Sequence, residues 1–247
     1  MDSTFSLSSS VCSALSDAAA VLAPVSCAGC GRIDRALCPA CRAQLVVQPR
    51  TVWLHPDEAL TRIGSLAVAV SLSYEGVVAR VLGAVKEHGR TDVLPALVPP
   101  LRSALRRAEG LCDGRRGPPL FVTVPSARRA TSRRGFRPVD VLTRRSGRAV
   151  RRRPVLGLVR ETRDQAGLHV GERQANLNGA MRASGAVMGR EVVLVDDVLT
   201  TGSTVLEARR AVAEGGGRVI AAACLAYTEK REVTGRELVG DTSGRPY

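Results

Sequence analysis

Two acids stand directly behind a run of aliphatic residues. Val192–Val195 lead into Asp196 and Asp197, and Val198–Thr204 follows with Thr200, Thr201, Gly202, Ser203 and Thr204. A short apolar run bounded by turn residues reads as a buried strand. A helical pattern opens at Ser203 and runs to Glu214, where Gly215–Gly217 stop it. The acids therefore fall at a strand's carboxyl end, and the hydroxyls at a helix N-terminus. In an open α/β sheet, ligands bind at that end of the strands. A helix N-terminus offers unpaired N–H groups and a partial positive charge. Gly202 lets the backbone approach an anion closely. This chemistry fits a phosphate monoester. The two carboxylates fit the vicinal hydroxyls of a ribose, and they can help hold Mg²⁺. Ordinary helix capping uses one Ser or Thr. It leaves the paired acids and the remaining hydroxyls unexplained. No GxxxxGK[ST] motif occurs, which argues against a P-loop NTPase, and Gly215–Gly217 lack the strand-to-helix setting of a dinucleotide fingerprint.

A second cluster is built from sulfur. Cys27, Cys30, Cys38 and Cys41 form two CxxC pairs seven residues apart. Two such turns can aim four thiolates at one centre, and tetrahedral Zn²⁺ is the commonest occupant. With every position filled by protein the role is structural, folding a segment too short for its own core. A redox dithiol pair, unrelated free thiols or an iron–sulfur cluster are the weaker readings. Cys12, Cys112 and Cys224 are isolated and read as core or surface thiols. The odd total of 7 cysteines argues against a disulfide framework.

Positioning elements follow from the pattern. Ser65–Tyr74 alternates and predicts a strand. Gly76–Lys86 predicts a helix with Val77, Val81, Leu82 and Val85 on one face, ended by Gly89. Asp92 is placed to cap a second helix running to about Ala108. Leu120–Val124 is a strand ended by Pro125, Val139–Ala149 a helix, Val155–Val159 a strand, and Arg218–Tyr227 another. Val11–Leu22 predicts a short helix. Gln48–Thr61, with Pro49 and Pro56, reads as a linker, and Glu161–Ala180 as a long loop of the kind found at active sites or a short helix with excursions. The fold class is α/β: a mostly parallel sheet flanked by helices, with a small N-terminal metal segment. The expected divisions are an extension at 1–22, a four-cysteine finger at 23–48, a main domain at 62–230 and a soft tail at 231–247.

The chain of 247 residues carries 36 basic and 23 acidic residues, a net +13. All the basic residues but Lys86 and Lys230 are arginine. This suits either an arginine-rich solvated surface or a polyanionic partner. Aromatic residues are only 3%, which counts against base stacking and leaves phosphate contact as the better use of the charge. Arg128, Arg129, Arg133, Arg134 and Arg137 follow the Leu120–Val124 strand, on the same rim as the hydroxyl-rich turn. Arg134 is the candidate anion contact among them; most of the others read as solvated. His55, His88 and His169 have no metal-ligand spacing. No run approaches the ~20 apolar residues of a membrane span, and the first basic residue is Arg32, so no secretory signal is expected. The expected location is cytoplasmic.

The VVLVDDVLTTGSTV segment resembles the 5-phosphoribosyl-1-pyrophosphate (PRPP) loop of type I phosphoribosyltransferases. The resemblance implies that Asp196 and Asp197 contact the ribose hydroxyls, that Thr200, Thr201, Gly202, Ser203 and Thr204 grip the 5′-phosphate, and that Mg²⁺ accompanies the pyrophosphate. The four-cysteine finger, SYEGVVARVLGAVKEHGR with Tyr74 and Lys86, VPSARRATSRRGF, and ETRDQAGLHVGERQANLNGAM together resemble the ComF family, over roughly residues 20–228. That family implies a phosphoribosyltransferase fold and, for some members, action on incoming single-stranded DNA in natural transformation. Where the family has Asn-Gln after RGF, this chain has Arg137 and Pro138. Lys86 is a candidate pyrophosphate contact or a plain surface lysine at a helix end. Two functions are expected: an enzyme that displaces pyrophosphate from PRPP with a nitrogenous nucleophile, Asp196 and Asp197 being its candidate catalytic residues, or a non-catalytic module binding a phosphoribosyl group or single-stranded DNA. A salvage enzyme unconnected with DNA is the third, disfavoured by the finger.

Overall fold

The computed structural model describes residues 25–33, 35–55, 64–112, 117–125, 135–151, 153–159 and 179–228. The expected helix at Val11–Leu22, the tail after Thr228, Cys12, and Arg128, Arg129, Arg133 and Arg134 lie outside these residues.

Leu66–Ser73 forms β2, buried along all but its last residue. From Leu66 to Val70 its side chains alternate between the two faces of the sheet, as the period of 2 requires. Leu66, Val68 and Val70 enter one apolar cluster, Ala69 and Leu72 the other. Arg218–Tyr227 (β7) and Glu191–Leu199 (β6) divide in the same way, and Leu120–Thr123 (β3) completes the parallel set. Val68 pairs with Ala222, Leu194 with Ala222 from the other side, and Val122 with Leu194. The central strand β7 is rich in alanine, which lets helices lie close above it. With Arg50–Leu54 as β1, the strand order is β1-β2-β7-β6-β3.

The expected linker contains the first strand, Arg50–Leu54 (β1), antiparallel to β2 with Val52 opposite Val68. Pro49 and Pro56 suggested irregular chain. Pro49 instead lies just before the strand, and β1 is an edge, where proline is tolerated.

One face carries Gly76–His88 (α2), Leu94–Glu109 (α3) and Pro138–Arg145 (α4). α2 buries Val77, Val78, Val81, Leu82 and Val85, spaced three and four apart, and ends on Gly89 in the left-handed region. α3 begins at Leu94 with Val93 at its cap; Asp92 makes no capping bond and holds Arg90 instead. The short helix Pro39–Ala43 (α1), which carries Cys41, packs into the same cluster. The other face carries Ser203–Glu214 (α5) and a small antiparallel hairpin, Leu156–Leu158 (β4) with Met181–Ala183 (β5). The result is three layers, helices on both faces of a mostly parallel sheet.

Candidate functional site

β6 is longer than its aliphatic run. It continues through the acids to Leu199, with Asp196 opposite Cys224, Val198 opposite Ala226 and Leu199 opposite Tyr227. The two carboxylates are thus held by the sheet ladder rather than by a loop. Asp197 faces the α2 side, where Val193, Val195 and Val198 also pack, and the Asp196 carboxyl is buried beside it. On the α2 side, Lys86 Nζ lies 2.9 Å from Asp197 Oδ1. Lys86 belongs to the last turn of α2, a helix that leaves the carboxyl end of β2 and brings this lysine over the carboxyl end of β6.

The electrostatics follow from burial. Asp196 has its carboxyl pushed up to about 7, first by burial and then by the charge of Asp197; the Asp197 N–H, which donates to Asp196 Oδ1 at 2.8 Å, and Lys86 oppose this. Burial pulls the Lys86 ammonium down, yet Asp197 and Asp196 outweigh it and the net direction is up. Burial and the same two acids push the Cys224 thiol up, so it is inert as a nucleophile.

Beyond Leu199 the chain turns sharply into α5. Gly202 caps the helix with φ of 82°, and its carbonyl accepts from Leu206 N–H at 2.9 Å. An added Cβ there would stand 2.6 Å from Leu54 Cδ2, so β1 presses on the turn. Thr201 Oγ1 and Ser203 Oγ are 2.9 Å apart, and Ser203 N–H also reaches Thr201 Oγ1. Thr200 is exposed and Thr204 half-buried at the helix start. The structure therefore brings Asp196, Asp197, Lys86, Thr200, Thr201, Gly202, Ser203 and Thr204 to one rim. Arg134 lies outside the described residues. Arg137 does not aim at this rim on its own: it caps α4 and pairs with Asp140 at 3.5 Å, while Pro138 starts the helix.

The sulfur cluster has the geometry of a metal centre. Cys27, Cys30, Cys38 and Cys41 place their sulfurs within 4.8 Å of one another. Cys30 and Cys38 Sγ are 3.8 Å apart. Four sulfurs at Zn–S bonds of about 2.3 Å in a tetrahedron are about 3.8 Å apart, whereas a disulfide needs about 2 Å. Gly29 and Cys38 N–H donate to Cys27 Sγ, both at 3.4 Å. Burial pushes Cys27 up, but these amides and that of Cys30 outweigh it and bring the thiol down to about 6. Burial and the neighbouring sulfurs push Cys41 up to about 12. Such crowding of ionisable sulfur suits a dication, and the donor set could hold Zn²⁺.

Three features were missed in the sequence. Leu54 touches the turn from a segment read as linker. Glu207, buried on α5, accepts the Met181 N–H at 2.9 Å and binds Arg210 through both oxygens at 2.7 Å, which staples the β4–β5 hairpin to the helix beyond the turn. A cleft of about 490 Å³ opens between Gln44, Val46 and Gln48 on one side and Ser73, Glu75 and the first turn of α2 on the other. Amide, hydroxyl and carboxylate groups line it beside the carboxyl end of β2. Only the partners of Glu207 could have been sought from sequence, through its i, i+3 spacing to Arg210.

A model of the phosphoribosyl transferase domain family matches residues 78–243. The DNA utilization protein YhgH of Escherichia coli K12 is 30% identical over 210 residues, covering 82% of this chain and 88% of that protein. YhgH of Salmonella typhimurium LT2 is 34% identical over 126 residues, 50% of this chain and 54% of its own. An orotate phosphoribosyltransferase of Methanopyrus kandleri is 50% identical over 50 residues, 20% of this chain and 27% of that enzyme.

Proposed function

The chain belongs to the phosphoribosyl transferase family, in its ComF-type branch, and on that premise we propose that it binds PRPP and transfers the phosphoribosyl group to a nitrogenous nucleophile with release of pyrophosphate. The observation that carries this reading is the convergence, at the carboxyl end of β6, of two carboxylates, a hydroxyl-rich turn at a helix N-terminus, and one lysine.

Each group has a part. Asp196 and Asp197 accept hydrogen bonds from the ribose 2′- and 3′-hydroxyls, which fixes the ring above the sheet. Thr200, Thr201, Ser203 and Thr204, with the amides around Gly202, hold the 5′-phosphate at the start of α5. Lys86 exchanges Asp197 for the pyrophosphate as that group departs. The C1′–oxygen bond to pyrophosphate breaks with its electron pair, the C1′–nitrogen bond forms, and the nucleophile's proton passes to a carboxylate. Asp197 is the preferred candidate for that proton. Catalysis here is positioning and stabilisation of developing charge. Asp196 and Asp197 are the oxygen donors this rim offers to Mg²⁺, which when bound neutralises the pyrophosphate. The cysteine cluster holds Zn²⁺ as a structural ion. A reduced set of four thiols suits the cytoplasm; among the described residues no helix is long and apolar enough to cross a membrane.

A thermal-shift titration with PRPP and Mg²⁺ tests this. The wild-type chain is expected to melt higher, and Asp196→Asn with Asp197→Asn to lose the shift while keeping its own melting transition. Pyrophosphate release with a panel of purines and pyrimidines tests turnover. No shift and no release from a folded chain refutes the proposal.

A second reading is favoured by the similarity to a DNA utilization protein and by the net charge of +13. In it, the chain serves DNA uptake by holding single-stranded DNA or its phosphoribosyl end, without turnover. Binding that weakens steeply with salt and falls when Arg128, Arg129, Arg133 and Arg134 are neutralised supports it; salt-insensitive binding removes it.

A further inference from the structure

The cysteine module and the acidic pair meet through one helix. At the first turn of α2, Gly29 lies so close that an added Cβ would stand 2.7 Å from Cys41 Sγ and 3.0 Å from Val77 Cγ1. One turn on, Arg80 Nε donates to the Gly29 carbonyl. Just past the last turn, Arg90 Nη1 donates to the Ser26 carbonyl at 3.0 Å, while its other nitrogens hold Asp92. Cys27, Cys38 and Cys41 share one buried cluster with Val77, Val81 and Val85. Residues 26–41 thus hold α2 on both sides of Lys86. A lysine stem is long and flexible, so where its ammonium stands depends on how firmly its helix is held.

We propose that the cysteine module is a positioning device for Lys86: the folded knuckle, through Arg80 and Arg90, fixes α2 so that Lys86 stands over Asp197. Arg80 and Arg90 are then positioning residues. The geometry stands on its own; the consequence for PRPP rests on the functional reading above. A merely structural module predicts something different. Loosening its contacts would lower stability and leave the surroundings of Lys86 unchanged.

The chain has only two lysines, Lys86 and Lys230, so acylation by an amine-reactive reagent can be followed at each by peptide mass spectrometry, with Lys230 as internal reference. In the full, zinc-loaded chain Arg80→Ala is expected to speed labelling of Lys86 about threefold relative to Lys230, the size of a weakened exposed ion pair, with zinc content unchanged. Arg80→Lys, which restores a donor, returns the rate toward wild type, and Arg90→Ala reproduces the effect should Arg80→Ala fold poorly. PRPP affinity, by calorimetry, falls in parallel. By reciprocity, saturating PRPP tightens zinc binding at equilibrium by the factor by which zinc tightens PRPP binding. Labelling of Lys86 that ignores Arg80, Arg90 and chelation alike overturns the proposal. Labelling that responds, in a chain that binds no PRPP, upholds the positioning and overturns the functional reading instead.

Discussion

Replacing Gly202 by alanine separates two forces on the turn. The first is backbone: φ is 82°, a left-handed conformation that costs an L-residue roughly 1–2 kcal/mol. The second is contact: the new Cβ would stand 2.6 Å from Leu54 Cδ2 and 2.8 Å from Cδ1. Those atoms are the free end of a flexible side chain on an edge strand, so Leu54 can move, at about 1–2 kcal/mol for a strained rotamer and lost packing. Gly202→Ala should therefore destabilise the fold by about 2–4 kcal/mol. Leu54→Ala alone costs packing, but in the double variant the contact disappears and the backbone strain remains. A double-mutant cycle measured by urea unfolding is expected to give a favourable coupling of about 1–2 kcal/mol. A coupling below about 0.5 kcal/mol would show that Leu54 does not press on the turn, and the account of why glycine stands at 202 would then reduce to φ alone. A total loss below about 0.5 kcal/mol would refute the left-handed cap as well.

Asp196 sets a pH dependence. Its folded carboxyl is raised to about 7 from an ordinary 3.8 by burial and by Asp197, so the native state binds the proton more tightly than the unfolded chain does. Stability of the ligand-free protein should fall, on the order of 1–3 kcal/mol, as pH rises from about 4 to about 7; urea melts across that range should show it, and Asp196→Asn should flatten the slope. Glu207→Ala removes the acceptor of the Met181 N–H and both contacts of Arg210; a loss of about 3 kcal/mol is expected, with faster amide exchange in Met181–Ala183. Metal analysis should find one zinc per chain. Cys38→Ser should lose most of it and lower the melting temperature, because Cys27, Cys38 and Cys41 lie in the same buried cluster as α2; a zinc-free wild-type chain in which Cys27, Cys30, Cys38 and Cys41 are all alkylated without denaturant would exclude the centre.

What sequence revealed and what it concealed divide along one physical line. The segment from Val192 to Tyr227 was legible because it is contiguous: strand, acids, turn, helix, glycine stop and next strand each follow from local period and turn chemistry. α5 and β7 begin and end where the pattern placed them, at Ser203, Glu214, Arg218 and Tyr227. The four cysteines were equally plain, since CxxC spacing is itself local. β1 was missed because a five-residue edge strand between prolines has too little period to outweigh them, and its stability comes from β2. β6 ran past its expected end because pairing with β7, not side-chain type, carries the acids in the ladder. Lys86 was the undecided case. From sequence it was a lysine at a helix end, and only the crossing of α2 over the sheet brings it to Asp197. That crossing is a long-range fact, set by the burial of the apolar face of α2 against both the sheet and the cysteine module. The same reasoning would explain why a chain with this hydroxyl-rich turn keeps a four-cysteine knuckle far away in sequence. On the proposed function, the turn supplies donors for one end of a phosphorylated sugar, a cation for the other end comes from another element, and that element needs something rigid to lean on.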